Sequence, residues 1–354
     1  MIVPISVLGF DGFFAADAAH SPAGEPARVC AVHRDARDLW TSADQAPLRA
    51  TLPGRWRVHQ PDPVELPAVG DWVLYDPDDA RILRVLRRRS LFLRRAAGDG
   101  PVAQVVAANV DTIFLVCGLD GDLNIRRLRR YLAQLHDSGA APVLVLNKAD
   151  RPEQGEAGRR AVGALGGRWP VCTLSALHAE GLDALTPWLR PGETVALVGS
   201  SGVGKSTLAN RLLGEDRQLT GAVRADDARG RHTTTRRELV RLSGGALLLD
   251  TPGMRSLGLW DAVEGVDAVF DDVGAAARTC RFRDCRHQGE PGCAVAAGLE
   301  AGDLDAERVA EWDKLRREAA FEERKRDPKA MAAERARWKR IHVDHRRRDK
   351  ERGR

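Results

Sequence analysis

This 354-residue chain lacks long apolar runs, and its sequence predicts neither a secretory leader nor a disulfide framework. No stretch approaches the roughly 18 unbroken apolar residues that a membrane-spanning helix requires. The N-terminal MIVPISVLGFDGFF is apolar, but it has no basic leader and contains Pro4 and Asp11, so a secretory signal is not expected. The spacing of the six cysteines does not suggest a secreted disulfide framework. These absences predict a cytoplasmic protein without a membrane partner.

Basic residues are concentrated at the C-terminal end of the chain, whose net formal charge is +5. Residues 320–354 contain 14 Lys and Arg against 7 Asp and Glu, so the remainder of the chain is slightly acidic. A basic tail of this kind suggests a polyanionic partner, either nucleic acid or an anionic membrane. The alternative is a solvated helix face with no partner.

Residues 27–95 contain short apolar segments separated by Pro and Gly, and their helical periodicity is weak. Four segments have the composition of strands: ARVCAVH, RWRVHQ, GDWVLYD and RILRVLRR. This pattern predicts a small β-barrel. An OB-type barrel is one candidate, and an SH3-like barrel is an alternative that composition does not exclude.

A different pattern begins near residue 102, where apolar segments alternate with helical ones. The segments with the composition of strands are NVDTIFLVCGL, APVLVLNKAD, WPVCTLSA, TVALV, ELVRLSG and ALLLDTPG. Helices are predicted over residues 124–138 and 156–165, and over GLDALTPWL and TLANRLL. This alternation favours a doubly wound α/β domain with a mainly parallel sheet. Beyond residue 256 the pattern is mostly helical, with a charged amphipathic helix from residue 306.

The segment GSSGVGKST matches the phosphate-binding pattern G-x4-G-K-[ST] between an apolar strand and a helix. Its glycines allow backbone N–H groups to curl around the β-phosphate, and the helix N-terminus adds its positive dipole. Lys205 is expected to neutralise the β- and γ-phosphate oxygens, Ser206 to ligate Mg²⁺, and Thr207 to lie near the α-phosphate. The predicted nucleotide-binding residues of this loop are Gly199, Ser200, Ser201, Gly202, Val203, Gly204, Lys205, Ser206 and Thr207.

A guanine-recognition motif precedes the phosphate loop, which inverts the order found in an ordinary GTPase. The motif consists of Asn147, Lys148, Ala149 and Asp150. The Asp150 carboxylate can accept from guanine N1–H and the 2-amino group, whereas adenine would leave it unsatisfied. Asn147 is expected to tie the loops together, and the Lys148 stem to cover the base. After the next strand come Ser175 and Ala176, where a backbone N–H can donate to guanine O6.

Two further segments have the positions that hydrolysis requires. Asp250-Thr251-Pro252-Gly253 ends an apolar strand, so Asp250 is expected to hold Mg²⁺ through water and the Gly253 amide to sense the γ-phosphate. Upstream, GRHTTTR (230–236) lies where a mobile loop brings a threonine to Mg²⁺. Thr235 is the favoured ligand, with Thr234 close behind, and an ordinary polar surface loop is the alternative.

The residue that orients the attacking water is not evident from the sequence. Met254 occupies the position after DTPG where many GTPases have a glutamine, and it cannot position a nucleophile. Slow basal hydrolysis is therefore expected. His232 in the threonine-rich loop is a hypothesis for the missing group, and a loop histidine without this role is the alternative.

Three cysteines and a histidine are clustered as Cys280-x4-Cys285-x-His287-x5-Cys293. Three thiolates and an imidazole satisfy tetrahedral Zn²⁺ and leave no open position for catalysis. The spacing predicts one structural zinc ion. Free thiols are the alternative, because the pattern is not the common paired CxxC form.

The motif order NKAD, SA, GSSGVGKST, GRHTTT, DTPG and C-x4-C-x-H-x5-C resembles the RsgA (YjeQ/EngC) family of circularly permuted GTPases. The segments PAVGDWV, QVVAANVDTIF and DCRHQGEPGCAV are similar too. The resemblance implies an N-terminal OB-fold, a central permuted G domain and a C-terminal zinc domain. It also implies a role in late maturation of the small ribosomal subunit, with GTP hydrolysis to GDP stimulated by that subunit.

These inferences predict a multidomain chain with the following organisation: an N-terminal extension over 1–26, an OB-type β-barrel over 27–96, a circularly permuted G domain over 97–258, a mainly helical zinc-binding domain over 259–305 and a basic helical tail over 306–354. The expected partners are the small ribosomal subunit with its rRNA and GTP or GDP, and a monomer is expected. Zn²⁺ and Mg²⁺ are the expected ions.

Two rival functions remain open at this stage. One is a non-enzymatic RNA-binding scaffold that uses GTP only as a structural ligand, which multiple-turnover hydrolysis with added small subunits would exclude. The other is a P-loop ATPase or small-molecule kinase, which Asp150 opposes. In the favoured interpretation the barrel, zinc domain and tail contact rRNA. Arginines near the end of the barrel are expected to meet phosphates: Arg81, Arg84, Arg87, Arg88, Arg89, Arg94 and Arg95.

Overall fold

The computed structural model describes residues 4–21, 23–54, 64–95, 103–121, 123–150, 152–163, 165, 168–214, 238–250 and 263–326. Contacts divide the chain into two compact units, Met1–Arg94 with Ala103–Gly258 and Arg95–Val102 with Leu259–Arg354. The predicted barrel and α/β segments thus share the first unit. No helix within the described segments is long and apolar enough to cross a membrane.

The N-terminal extension packs against the barrel through its apolar residues. It contains a 3-10 helix, Ile5–Leu8, and helix α1, Gly12–Ala18, whose N-cap Asp11 accepts from the Phe13 amide. The side chains of Leu8 and Phe14 are almost fully buried. Burial of this apolar surface stabilises the extension in its place.

Five strands form the closed barrel: β1 Glu25–Val32, β2 Ala36–Trp40, β3 Leu48–Thr51, β4 Trp72–Asp76 and β5 Arg81–Val85. They pair in the cyclic order β1-β2-β3-β5-β4-β1, and only β3 and β5 run parallel. Alternate side chains fill the interior: Ala27, Val29, Leu39, Ala50, Val73, Tyr75 and Ile82. The structure confirms the predicted OB-type barrel. The segment RWRVHQ, predicted as a strand, lies outside the described residues.

A two-stranded sheet follows, formed by β6 Leu91–Arg95 and β7 Ala103–Ala108. The α/β elements then run β8 Thr112–Gly118, α2 Ile125–Ser138, β9 Ala141–Asn147, α3 Pro152–Gly163, β10 Val171–Thr173, 3-10 helix Leu182–Trp188, β11 Thr194–Val198, α4 Lys205–Leu213, β12 Glu238–Arg241 and β13 Leu247–Asp250. Helix α3 begins four residues before the predicted start of 156. Proline is favoured in a first helical turn because that turn needs no N–H donor from it.

Local signals explain why α2 begins and ends where it does. The Asn124 side chain caps its N-terminus by accepting from the Arg127 amide at 3.0 Å. Gly139 ends the helix in the left-handed conformation that lacks a steric penalty for glycine. The helix predicted over 124–138 is confirmed, and its residues Leu128, Leu132 and Leu135 are buried.

The α/β sheet has the strand order β10-β9-β8-β11-β13-β12 and continues into the barrel through β1. The first five strands are mutually parallel, and β12 runs antiparallel to β13. Ala31 of β1 pairs with Glu238 of β12. Because carboxyl ends of parallel strands meet at one edge, the motifs that follow β9, β10, β11 and β13 share that edge.

The second unit is mainly helical, as predicted. Its helices are α5 Val263–Val269, α6 Asp271–Arg278, α7 Ala294–Ala301 and α8 Ala306–Arg326. Trp312 is buried and its Nε1 donates to Asp267 Oδ1 at 2.8 Å, which joins α8 to α5. Arg308 pairs with Asp272 at 2.7 Å, which joins α8 to α6. The Arg-rich end beyond residue 326 lies outside the described residues.

Candidate functional site

Asn147 joins three loops at the carboxyl edge of the sheet. Its side chain is almost fully buried at the end of β9. Its Nδ2 donates to Val203 O in the phosphate loop at 2.8 Å, and its Oδ1 accepts from the Ala176 amide at 2.9 Å. The guanine motif, the Ser175-Ala176 loop and the phosphate loop are thus held together by one amide side chain.

Two glycines allow the phosphate loop to pass close to neighbouring backbone and side-chain atoms. Gly204, at φ 92°, caps α4, and a Cβ there would collide with Asn147 Nδ2. Gly199, at φ 152°, leaves no room for a Cβ because Val116 O of β8 lies against it. Glycine is therefore required at both positions for steric as well as conformational reasons.

Lys205 lies inside the loop that it is predicted to serve. It is the first residue of α4, and its Nζ donates to Gly199 O at 2.8 Å and to Ser200 O. Ser206 is exposed on the first turn of the helix, and Thr207 is half-buried beside it. Of the remaining loop residues, Ser201 and Gly202 are exposed and Val203 is buried. The loop thus curls around the lysine ammonium at a helix N-terminus.

Asp150 and its neighbours lie at the other end of the site. The exposed carboxylate accepts a hydrogen bond from Ser175 Oγ, and His178 Nε2 lies 4.0 Å from it. The Ser175 and Ala176 amides donate to Glu180 O at 3.0 Å and to Asn147 Oδ1 at 2.9 Å. Neither amide therefore presents the free donor that was expected for guanine O6.

Lys148 pairs with a carboxylate that lies outside the guanine motif. Its Nζ contacts Asp120 Oδ2 at 2.5 Å, and that hydrogen bond lowers the pKa of Asp120. Lys148 has a left-handed φ of 63°, and the adjacent Ala149 amide donates to Leu174 O at 3.2 Å. The β8–β9 register pairs Gly118 with Asn147, so the residues just after the two strands lie side by side. The position of Asp120, two residues after β8, was the sequence signal for this pair.

Several predicted catalytic residues fall outside the described part of the chain. His232, Thr234 and Thr235 lie in the segment 215–237, and Gly253 lies in 251–262. Asp250 is the last residue of β13 and pairs in register with Glu238. The structure thus places the strand that leads to DTPG next to β11.

The cluster Cys280, Cys285, His287 and Cys293 has the geometry of a tetrahedral metal site. The four ligand atoms lie within 4.8 Å of one another. His287 Nδ1 is 3.6 Å from Cys280 Sγ and 3.5 Å from Cys293 Sγ. Zn–S and Zn–N bonds at tetrahedral angles place sulfur and nitrogen about 3.6 Å apart. The residues present therefore fit zinc, as the spacing predicted.

Packing and backbone hydrogen bonds hold the cluster in place. His287 has a left-handed φ of 60°, and its ring lies 5.4 Å from the ring of buried Trp312. Burial lowers the pKa of His287, which favours its neutral form. Cys293 is the N-cap of α7, and its Sγ accepts from the Ala296 amide at 3.4 Å. Two ligands are thus fixed by the helices around them.

Glu290 organises the loop between the second and fourth ligands. Its carboxylate accepts from the amides of Arg286 at 2.9 Å and Gln288 at 2.7 Å. Hydrogen bonds from the Arg286, Glu290 and Gln288 amides lower the pKa of Glu290 to about 2. A deprotonated carboxylate therefore holds this loop at neutral pH.

Four of the arginines that were expected to contact phosphate form ion pairs within the protein, and phosphate contacts for the group stay a prediction. The guanidinium–carboxylate pairs are Arg81 with Asp76 and Asp79, Arg84 with Asp17, Arg88 with Asp71 and Arg89 with Asp11. The N-terminal extension supplies two of these carboxylates. The pairs of Arg84 and Arg89 could not be predicted from the sequence, because their partners lie 67 and 78 residues away.

Comparisons with known proteins agree with this geometry. The family model for the RsgA GTPase matches residues 85–260. The chain is 48% identical to "Small ribosomal subunit biogenesis GTPase RsgA" of Opitutus terrae over 99% of each chain. It is 47% identical to the protein of the same name from Xanthomonas euvesicatoria, over 86% of this chain and 83% of that one.

Solved structures show the same fold. YjeQ from Thermotoga maritima superposes with a TM-score of 0.62 at 25% identity, over 84% of this chain and 99% of that one. YloQ, described as a circularly permuted GTPase, superposes with a TM-score of 0.57 at 20% identity, over 85% and 97% of the two chains. The permuted motif order, the joined loops and these relatives lead to one conclusion: the chain belongs to the RsgA family of circularly permuted GTPases and is a GTP hydrolase.

Proposed function

We propose that this GTPase binds the small ribosomal subunit and assists its late maturation, and that the subunit stimulates its hydrolysis of GTP to GDP and phosphate. The named relatives support the biological role. The observation that carries the nucleotide chemistry is the contact of Asn147 with both Val203 and Ala176. One ligand can therefore touch the guanine motif and the phosphate loop together. In this role the protein would act as a cytoplasmic monomer.

At the base end, Asp150 would accept from guanine N1–H and the 2-amino group. Ser175 Oγ, which donates to that carboxylate, would keep it oriented. Adenine offers no matching pair of donors, so it would leave a desolvated carboxylate with Ser175 Oγ but no donor from the base. The Lys148 stem would cover the base while its ammonium contacts Asp120.

At the phosphate end, Lys205 would exchange the carbonyls of Gly199 and Ser200 for phosphate oxygens. This exchange is favourable because a charged acceptor replaces neutral ones. Mg²⁺ would neutralise charge on the β- and γ-phosphates. Its proposed holders are Ser206, Asp250 and Thr235, with Thr234 as the alternative to Thr235.

Two groups are proposed for the hydrolytic step itself. The Gly253 amide would bind the γ-phosphate, and His232 would orient the attacking water. Met254 has no atom that can hold a water in place, so a slow basal rate follows. Replacement of His232 by alanine should reduce subunit-stimulated turnover, and unchanged turnover would remove it from the mechanism.

The Cys280, Cys285, His287 and Cys293 cluster is proposed to hold one structural zinc ion. Four protein ligands complete a tetrahedron, so no position remains for water or substrate. Zinc there would fix the loop between α6 and α7. The segment could then present a constant surface to a partner, because its backbone would be held at both ends.

The decisive experiment is a multiple-turnover GTPase assay with and without purified small ribosomal subunits. The expected result is slow hydrolysis alone and faster hydrolysis with the subunit, with GTP binding resistant to competition by ATP. A chain that binds GTP without turnover under either condition would be a scaffold, contrary to the proposal. Cosedimentation with the subunit, with and without the Arg-rich tail, would show whether association requires the tail.

A further inference from the structure

Arg28, on barrel strand β1, is a buried cation at the junction of four parts of the first unit. Its guanidinium donates to Leu8 O in the N-terminal extension and, at 3.4 Å, to Gly70 O beside β4. It also donates to Asn109 O, after β7, at 3.0 Å and to Thr194 Oγ1 at 2.7 Å. One side chain therefore contacts the extension, the barrel, the segment before β8 and the strand that leads to the phosphate loop.

Two nearby carboxylates favour the charged form of this guanidinium. Burial lowers the pKa of Arg28 to about 10, while the charges of Asp111 and Asp71 oppose that shift. Arg28 is therefore protonated at neutral pH. Hydrogen bonds to a charged donor are stronger than those between neutral groups, so the contact with Thr194 is a firm one.

Thr194 is the first residue of β11, and it is held twice. Its hydroxyl accepts from Arg28, and its amide donates to Asp111 Oδ2 at 2.8 Å. At the strand rise of roughly 3.3 Å per residue, Gly199 is about 17 Å further along this extended segment. Since β11 is hydrogen-bonded to both β8 and β13, we expect a displacement of its first residue to be transmitted along the strand.

A comparison with Arg37 separates this arrangement from ordinary packing. Arg37 is also buried in the barrel, and it donates to Pro67 O at 2.7 Å and to His33 O at 2.7 Å. Those acceptors belong to the barrel alone. Arg28 instead extends across to the nucleotide-binding strand, although a barrel-only acceptor would satisfy the same charge.

We propose that Arg28 is a positioning residue for the phosphate loop, which it holds in register with the barrel through the hydroxyl of Thr194. A partner that engages the barrel would act on the phosphate loop through this contact. That regulatory role rests on the proposed function. The effect of the Arg28–Thr194 contact on nucleotide binding does not require the ribosomal partner.

The test compares two replacements of Thr194 in the full-length protein. Thr194→Ser keeps the acceptor but removes a methyl group, whereas Thr194→Val keeps the shape but removes the acceptor. Thr194 is fully buried in a strand, so apolar burial and strand propensity alone favour valine over serine. The positioning role reverses that order. We expect GDP affinity, measured by titration with a fluorescent analogue, to fall at least about fivefold in the valine variant. It should stay within about twofold in the serine variant, which is below the usual range of coupling between linked sites.

Arg28→Lys and Arg37→Lys form a second pair, with thermal unfolding measured for each. Lysine is smaller than arginine and keeps the positive charge, and a cavity of about 210 Å³ borders Arg28, so this change adds no steric clash. Arg28→Lys should weaken GDP binding, and Arg37→Lys should lower stability without that loss. Equal GDP affinity in the valine and serine variants, or equal losses in both lysine variants, would overturn the proposal. If the unaltered protein shows no stimulation by small subunits, the proposed function fails, and the GDP titrations still decide the role of Arg28.

Discussion

Replacement of Asn147 by alanine should weaken guanine nucleotide binding more than its effect on stability would suggest. The change removes two buried hydrogen bonds, of 2.8 and 2.9 Å, and leaves Val203 O and the Ala176 amide without their partner. A buried polar group without a partner costs about 1–3 kcal/mol. A free-energy difference of about 1.4 kcal/mol changes an affinity about tenfold. We therefore expect GDP affinity to fall about tenfold to a hundredfold.

Ser138→Ala is the matched control for this variant. Ser138 is buried just before the amino end of β9, whereas Asn147 closes its carboxyl end. Its hydroxyl also makes two hydrogen bonds to backbone groups, donating to Leu135 O at 2.6 Å and accepting from the Ala140 amide at 3.2 Å. Isothermal titration with GDP and thermal unfolding would be run on both variants. If the loss of GDP affinity stands in the same proportion to the loss of thermal stability in both variants, Asn147 does not organise the nucleotide site.

Three further predictions concern neighbouring features. Cys285→Ser should reduce bound zinc, measured by atomic emission, and a chelator should lower the melting temperature of the unaltered protein but not of this variant. Gly204→Ala should abolish detectable nucleotide binding in a filter assay, because its Cβ would collide with Asn147 Nδ2 at a left-handed φ; normal binding would show that the loop can move. Asp120→Asn should weaken GDP binding by no more than about fivefold, the range of exposed ion pairs, and high salt should remove its difference from the unaltered protein. A difference that persists in high salt would mean that Asp120 acts by some means other than its charge pair with Lys148.

The sequence predicted the α/β elements and motif positions well because their signals are local. A buried parallel strand is a continuous apolar run, and the residues that follow it must lie at the carboxyl edge. The sequence alone therefore predicts that Asn147 and Lys205 belong to one site. The barrel strands β2 and β3 were not predicted, because ARDLW and LRAT are only five and four residues long and contain charged residues.

The contacts that the sequence could not predict join residues far apart in the chain. Arg28 and Thr194 are 166 positions apart, and nothing in either segment specifies the other. Arg84 and Arg89 lie in an arginine-rich segment that suggested phosphate binding. In the structure each pairs with a carboxylate of the N-terminal extension. A count of local charge does not distinguish a paired arginine from a free one, because pairing depends on the tertiary fold.

Circular permutation leaves the nucleotide site intact because strand direction, rather than chain order, decides where the loops meet. The strands β9, β10, β11 and β13 end at the same edge whether the guanine motif comes first or last. What permutation changes is the attachment of other segments to these strands. The barrel precedes β8 in the chain and pairs with β12 through Ala31 and Glu238. The barrel therefore contacts the sheet at two strands, at β12 through backbone pairing and at β11 through Arg28. Both strands adjoin β13, which leads to DTPG, so a force on the barrel would reach that strand from both sides.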